Sequence, residues 1–301
     1  MDENKKVLFI INKFSGQGFN KKIEGRILTR CAELGFEATL EFTQGRGHAM
    51  ELSKAAAESH HYEIVFAVGG DGTVNEVAKG VAHTPQAMGI LPAGSGNGLA
   101  RHLGIPLPFK KSLAYLNSRT IISMDSFTIN NQLSLNVSGI GFDGHVANLF
   151  GKNGRRGLLG YGQLVLREFL SYPEFEAEGW IDQKKFRQPV FVLAFSNSSQ
   201  FGNNARIAPH ASVCDGWLDV SLVRKVPLLR SIDFARKMFT GRLQTSSYVM
   251  IRQAKNISLT FSRAMPFHVD GEGMPPAREF KIQIQPNSIR MLVPENAQSK
   301  I

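Results

Sequence analysis

Three apolar runs in the first third of the chain each end abruptly in glycine. KVLFIIN runs into NKFSGQG, EIVFAV into GGDGTVNEV, and AMGILP into AGSGNG. A strand buried on both faces is written as such a continuous run. Segments at helical spacing separate the runs: KKIEGRILTRCAELG, closed by Gly35, then GHAMELSKAAAESH, TVNEVAKGVAH and the short GLARHLG. With EATLEFT as a further strand, this alternation implies α/β architecture, a doubly wound parallel sheet covered by helices. Ligands of such sheets sit at the carboxyl ends of the strands, and all three glycine loops fall there.

After IPLPF the grammar changes. TIISMDSFTINNQLSLNV reads as strands with Asn130-Asn131 as a hairpin turn. EFEAEGWID, FRQPVFVLAFSN, WLDVSLV, NISLTFS, MPFHVDG, EFKIQIQ and IRMLV read as further strands, and LLRSIDFARKMFTGRL interrupts them as a helix. The expected organisation is therefore an α/β domain over 1–120 and a mostly antiparallel domain over 121–301, whose last residues can return to the first. GLLGYGQLVLREFLSY reads as one amphipathic helix, with Leu158, Leu159, Leu164, Leu166, Phe169 and Leu170 expected to face the core rather than a membrane. Lys152, Arg155 and Arg156 just before it suit anionic lipid headgroups.

Hydrophobic residues make up 43% and charged residues 20% of the 301, which excludes a disordered chain. A formal net charge of +10 favours anionic partners. No nucleic-acid-binding motif accompanies it, so nucleotides and acidic membrane surfaces are expected and nucleic acid is not. Cys31 and Cys214 stand far apart, which argues against a disulfide framework and fits a reducing compartment. The apolar run in MDENKKVLFIIN is shorter than a signal-peptide core, and none approaches the ~20 residues that span a bilayer. The expected location is cytoplasmic, peripheral at the inner membrane face. His48, His60, His61, His102 and His145 show no metal-ligand spacing.

The stretch VGGDGTVNEV asks why a strand should end on two glycines with a carboxylate at the turn. Glycines let a backbone approach a ligand closely, and the amides that open the next helix favour an anion. Asp71 repels phosphate directly but binds it through Mg²⁺, which takes carboxylate and phosphate oxygens together. A tight turn alone explains one GGDG. Three such loops on one rim, with hydroxyls at Ser15, Thr73 and Ser95, favour a nucleotide-phosphate site. Neither GxxxxGK[ST] nor, in the first loop, GxGxxG is present, so the class of site stays open on these grounds.

GGDGTVNEV followed by LPAGSGNGLARHLGIP resembles the diacylglycerol kinase catalytic-domain family, which includes bacterial lipid kinases and the sphingosine and ceramide kinases. More distantly it is similar to the NAD kinases, which share GGDGT. GIGFDGHVA, PHASVCDGWLDV and HVDGEGM continue the resemblance in order along the chain. It implies an ATP-binding first domain and a β-sandwich second domain that shapes the lipid site. It places Asn12, Lys13, Phe14, Ser15 and Gly16 in the first nucleotide loop and Thr43 after the second strand. Gly70, Asp71, Gly72, Thr73, Val74, Asn75 and Glu76 fall in the signature, and Ser95 in the fourth-strand loop. It further implies a metal loop at Ser212, Asp215 and Trp217, the first and last through backbone carbonyls, and a proton acceptor at Glu272 with Asp270 beside it. Lys13 departs from the family's NPxSG pattern, and Cys214 stands where a second acid commonly precedes Asp-Gly.

The resulting expectation is a kinase that uses ATP and Mg²⁺ to phosphorylate a long-chain lipid hydroxyl, of diacylglycerol or sphingoid-base type. An NAD kinase-like enzyme and a nucleotide-binding regulator without turnover are the alternatives. The intact DGE turn speaks against the regulator, which needs no base. Oligomeric state is open, a homodimer being one option.

Overall fold

The computed structural model describes residues 5–16, 22–152 and 158–297. Residues up to Met124, with those from Asn287 onward, form one compact unit, and Asp125–Pro286 form another.

The first unit alternates β1 (Lys5–Ile11), α1 (Lys22–Leu34), β2 (Phe36–Phe42), α2 (His48–Ser59), β3 (Ile64–Gly69), α3 (Asp71–Val81), β4 (Ala87–Pro92), α4 (Gly98–His102) and α5 (Phe109–Ser112). The strands lie in the order β2-β1-β3-β4, all parallel. Beside β4 lies the end of the last strand of the chain, where Arg290 pairs with Ala87 in parallel. Every residue of β3 and of β4 is buried, as their unbroken apolar runs require. Phe9 and Phe66 stack at 4.8 Å in this core. Gly89 makes room for the Phe66 ring, since a Cβ there would lie 2.3 Å from it. Gly80 lets α3 close on α2, where a Cβ would stand 2.0 Å from Ser53 Oγ. Gly35, at φ +69, ends α1, and His60, at φ 50, takes the left-handed position that ends α2. The 3₁₀ turn Leu113–Asn117 carries Tyr115, whose buried hydroxyl bonds the backbone of Ile90.

The second unit contains β5 (Ile121–Ile129, from Asp125 on), β6 (Gln132–Ser134), β7 (Val137–Gly141), α6 (Phe142–Lys152), α7 (Leu158–Ser171), β8 (Phe175–Ile181), β9 (Lys184–Val190), β10 (Val192–Ser196), β11 (Leu218–Val223), α8 (Leu228–Phe239), β12 (Val249–Ala254), β13 (Asn256–Val269) and the first part of β14 (Glu272–Leu292). Its strand pairs are antiparallel. Asn130 and Asn131, at φ 49 and 65, form the β5–β6 turn. NISLTFS and MPFHVDG, two strands in the sequence reading, are one strand here. β13 pairs with β8 through Ile257–Leu259 and with β7 through Phe267 and His268. Register shifts between Thr260 and Phe267 separate these two stretches of pairing. EFKIQIQ and IRMLV likewise fuse into β14. The sandwich core is rich in phenylalanine: Phe280 meets Phe261 and Phe267 edge to face at 5.7 and 5.1 Å.

A second apolar cluster lies under α6, α7 and α8. In α7, Leu164 is buried and Phe169 packs on that cluster, whereas Leu166 and Leu170 are 69% and 66% exposed. The helix thus turns only part of its expected apolar set inward. Arg155 and Arg156, and the side chains of Lys152, Leu158 and Leu159, lie outside the described residues. Among the described residues no helix is long and apolar enough to cross a membrane.

Candidate active site

In the first unit the three glycine loops meet backbone to backbone. A Cβ on Gly94 would lie 2.5 Å from Gly70 Cα, and one on Gly16 would lie 2.2 Å from the Ala93 carbonyl. Gly16 also needs its φ of +61. Side chains would fill this cradle.

Hydrogen bonds fix the loops to one another. Asn12 Nδ2 donates to Thr73 Oγ1 at 2.9 Å, tying the first loop to α3. Asn12 Oδ1 accepts the Phe14 amide and so folds its own loop. The Gly98 amide donates to Asp71 Oδ1 at 2.8 Å, tying the fourth-strand loop to the signature. Within that loop Asn97, left-handed at φ 48, accepts the Gly94 amide and donates to the Gly94 carbonyl.

The helix begins at Asp71 itself, two residues earlier than a turn over GGDG suggests. Its first intrahelical bond runs from the Val74 amide to the Gly70 carbonyl. The amides of Asp71, Gly72 and Thr73 therefore form the anion-favouring first turn. Val74 and Asn75 are buried, and so is Thr43. Glu76 faces elsewhere: its carboxylate accepts the Gly47 and Ala49 amides and caps α2. Lys13 places its ammonium 3.9 Å from the Phe42 ring, while Phe14 and Ser95 are exposed.

In the second unit, the 212–217 loop is organised by carboxylates. Asp215 Oδ1 accepts the Trp217 amide at 2.9 Å, and Oδ2 accepts Gln253 Nε2 at 3.3 Å. The Gly216 amide donates to Asp125 Oδ2 at 2.7 Å. Asp125 is 1% exposed, and the sequence reading missed it. The available signal was an acid inside the apolar strand IISMDSFTI, because a buried carboxylate needs a designated partner. Burial, then the Asp215 charge, pushes Asp219 up to about 6. Burial, then Asp125 and Asp215, pushes the Cys214 thiol up to about 11. Such a negative field suits a cation.

The DGE turn divides its acids. Asp270, at φ 48, accepts from Ser134 Oγ at 2.6 Å and from the Leu135 and Asn136 amides at 2.9 and 3.0 Å. Glu272 is exposed and opens β14. Beneath the turn, His268 Nδ1 accepts the Gly271 amide at 3.0 Å, so its proton sits on Nε2 and points to Asp143 Oδ2 at 3.2 Å. Asp143 also accepts the Gly144 amide at the start of α6.

Among the described residues no cluster of three or more His, Cys, Asp or Glu side chains is arranged as a metal cage. Mg²⁺ held jointly with phosphates needs only one or two carboxylates. Asp71 at the helix start fits that requirement, and the crowded carboxylates around Asp125 and Asp215 fit a cation at their loop.

A phosphate-cradling α/β unit followed in the chain by an antiparallel sandwich is the class of protein that this fold and site define. Comparison with known families narrows it. Residues 6–129 match the diacylglycerol kinase catalytic domain, and residues 136–293 match the YegS C-terminal NAD kinase beta sandwich-like domain. The chain is 27% identical to a diacylglycerol kinase of Bacillus subtilis over 89% of this chain and 90% of that protein. It is 28% identical to a probable lipid kinase YegS-like of Chromohalobacter salexigens over 89% and 88%. It shares the fold of a putative diacylglycerol kinase from Bacillus anthracis, with TM-score 0.80, 21% identity and coverage of 97% and 98%. The chain belongs to the diacylglycerol kinase catalytic-domain family and is an enzyme of that lipid-kinase class.

Proposed function

We propose that this protein transfers the γ-phosphoryl group of ATP to the hydroxyl of a long-chain lipid, of diacylglycerol or sphingoid-base type. The observation that carries this reading is the meeting of the three glycine loops at the first turn of α3, with Asp71 beside it. Backbone this close leaves room for phosphate oxygens, and the helix amides meet their charge. Bound Mg²⁺ would neutralise the developing charge on the phosphates. Asp71 is the residue that would hold it. Asn12, Thr73 and Asn97 keep the loops in register around the phosphates.

Glu272 is assigned as the base that accepts the lipid hydroxyl proton. The support is that Asp270 is committed to donors from residues 134–136 as a positioning residue for the turn, while Glu272 is exposed at the start of β14. Asp215, with the Ser212 and Trp217 carbonyls, is assigned a structural divalent ion. A docked anionic membrane surface would supply the lipid.

The test is ATP consumption in detergent micelles against diacylglycerol, a sphingoid base and NAD. Lipid phosphate as product, lost in Glu272→Gln, is the expected result. NAD phosphorylation without any lipid product would overturn the reading.

A further inference from the structure

Helix α8 carries two apolar faces, although a helix packed on one core needs one. Phe234 and Met238 pack on the apolar cluster beneath it. Leu228, Ile232, Ala235 and Phe239 follow the i, i+4, i+7, i+11 spacing of a separate stripe, with Leu229 at its edge. Leu229 is 96% exposed, Ile232 83% and Leu228 65%. No residue of the helix is buried. Leu170, on the exposed side of α7, lines one open pocket together with Leu228, Arg224 and Lys225, so the stripe continues onto a second helix. Scattered exposed leucines need no explanation, but a contiguous stripe does.

The charges around it have one sign in excess. Arg230, Arg236 and Lys237 stand against the single acid of the helix, Asp233, which bonds Arg236 and Lys237 and is held below the usual carboxylate range by them. Arg230 makes no ion pair among the described residues. We infer that α8 is an interfacial helix that lies on an anionic bilayer, with Leu228, Leu229, Ile232 and Phe239 in the acyl boundary and the cations among the headgroups. A second copy of this chain fits the stripe less well. Two such helices would bring like charges together, and a few side chains fall short of the roughly 20–30 residues a side of a stable interface. A bilayer answers both the apolar stripe and the cations.

The inference deepens the lipid-kinase reading, on which its purpose rests, by naming the surface that meets the lipid phase. Its primary readout is vesicle binding. Full-length protein is floated with phosphatidylcholine vesicles, or with vesicles containing about 30% phosphatidylglycerol, without nucleotide or diacylglycerol. Binding should favour the anionic vesicles and weaken as salt is raised. Leu229→Glu with Ile232→Glu should lower it by about tenfold or more, with unchanged Tm and unchanged turnover in detergent micelles. Leu229→Trp should show blue-shifted emission on anionic vesicles only. Wild-type binding by the double variant, or no Trp shift, overturns the inference. So does a wild-type dimer that the double variant splits while its vesicle binding persists, which would make the stripe a self-association face. Absence of lipid phosphorylation in micelles by the wild type would instead count against the kinase reading and leave the binding result standing.

Discussion

Asp71 Oδ1 accepts the amide of Gly98 at 2.8 Å, so the signature carboxylate also holds the loop after the fourth strand. Asparagine keeps that acceptor and loses the charge. Asp71→Asn should therefore melt within a few degrees of wild type yet lower kcat/KM for Mg-ATP by roughly 10²-fold, the scale of a lost electrostatic contact at a reacting phosphate. Melting curves beside Mg²⁺-dependent kinetics separate the two roles. Full activity in the variant would remove Asp71 from the phosphate site.

Two glycines of the rim should respond in opposite ways. Gly94→Ala puts a Cβ 2.5 Å from Gly70 Cα, backbone against backbone. It should destabilise the protein by about 1–3 kcal/mol and weaken ATP binding. Gly72 has nothing within 4 Å of its Cβ position and lies in the first turn of α3. Gly72→Ala should leave stability unchanged or raise it by up to about 1 kcal/mol through helix propensity. Any loss of ATP affinity in that variant would then report contact with the ligand, which denaturant titration and nucleotide binding resolve together.

The first unit was legible because each buried parallel strand is a continuous apolar run ended by glycine, a pattern local to the chain. The second unit was less so. β13 keeps pairing with β14 on both sides of its register shifts, and nothing local in SRAMP says that the strand continues. The same limit hid Asp125 and the hydrogen-bond partners of Glu76. The partner of Asp125 lies 91 residues away at Gly216, and Glu76 caps a helix that precedes it by 27 residues. Glu76 looked like part of a local signature because it follows the glycines directly. Its hydrogen bonds serve the α2–α3 packing that Gly80 permits.

The raised Asp219 gives the metal-free protein a pH signature. Burial, then Asp215, lifts it from 3.8 to about 6, so the folded state holds its proton more tightly than the unfolded state does. That contribution is present at low pH and is lost as pH rises between those values. Asp219→Asn should therefore gain stability relative to wild type across that window in EDTA. A constant difference from pH 3.5 to 7 would contradict the environment described here.

Cys214 offers a gain-of-function variant at the same loop. Cys214→Asp adds a carboxylate near Asp125 and Asp215, whose charges act with burial, the larger cause, to push the thiol up. Without divalent ions the added repulsion should lower Tm. With Mg²⁺ the loss should be recovered at a lower ion concentration than wild type needs, by about threefold to tenfold, because ligand charge tunes divalent affinity. Thermal melts across a Mg²⁺ titration read this without recourse to activity. An equal ion requirement in both proteins would place the divalent ion elsewhere.

The two acids of the DGE turn should fail differently when neutralised. Asp270 takes three hydrogen bonds through two oxygens, one from Ser134 Oγ and two from the amides of Leu135 and Asn136. An asparagine there tolerates the left-handed backbone but must turn an NH₂ toward one of those donors. Asp270→Asn should thus cost about 1–3 kcal/mol of stability, the penalty of an unmet polar group. Activity should fall with it. Glu272 is exposed at the start of β14, where glutamine preserves shape and removes the base. Glu272→Gln should keep wild-type Tm and ATP affinity while kcat falls by ~10²–10⁴-fold, the usual contribution of a positioned carboxylate. Tm, ATP binding and kcat measured on both variants decide the assignment. Near-normal turnover in Glu272→Gln, beside a well-folded but inactive Asp270→Asn, would reverse it and make Asp270 the base.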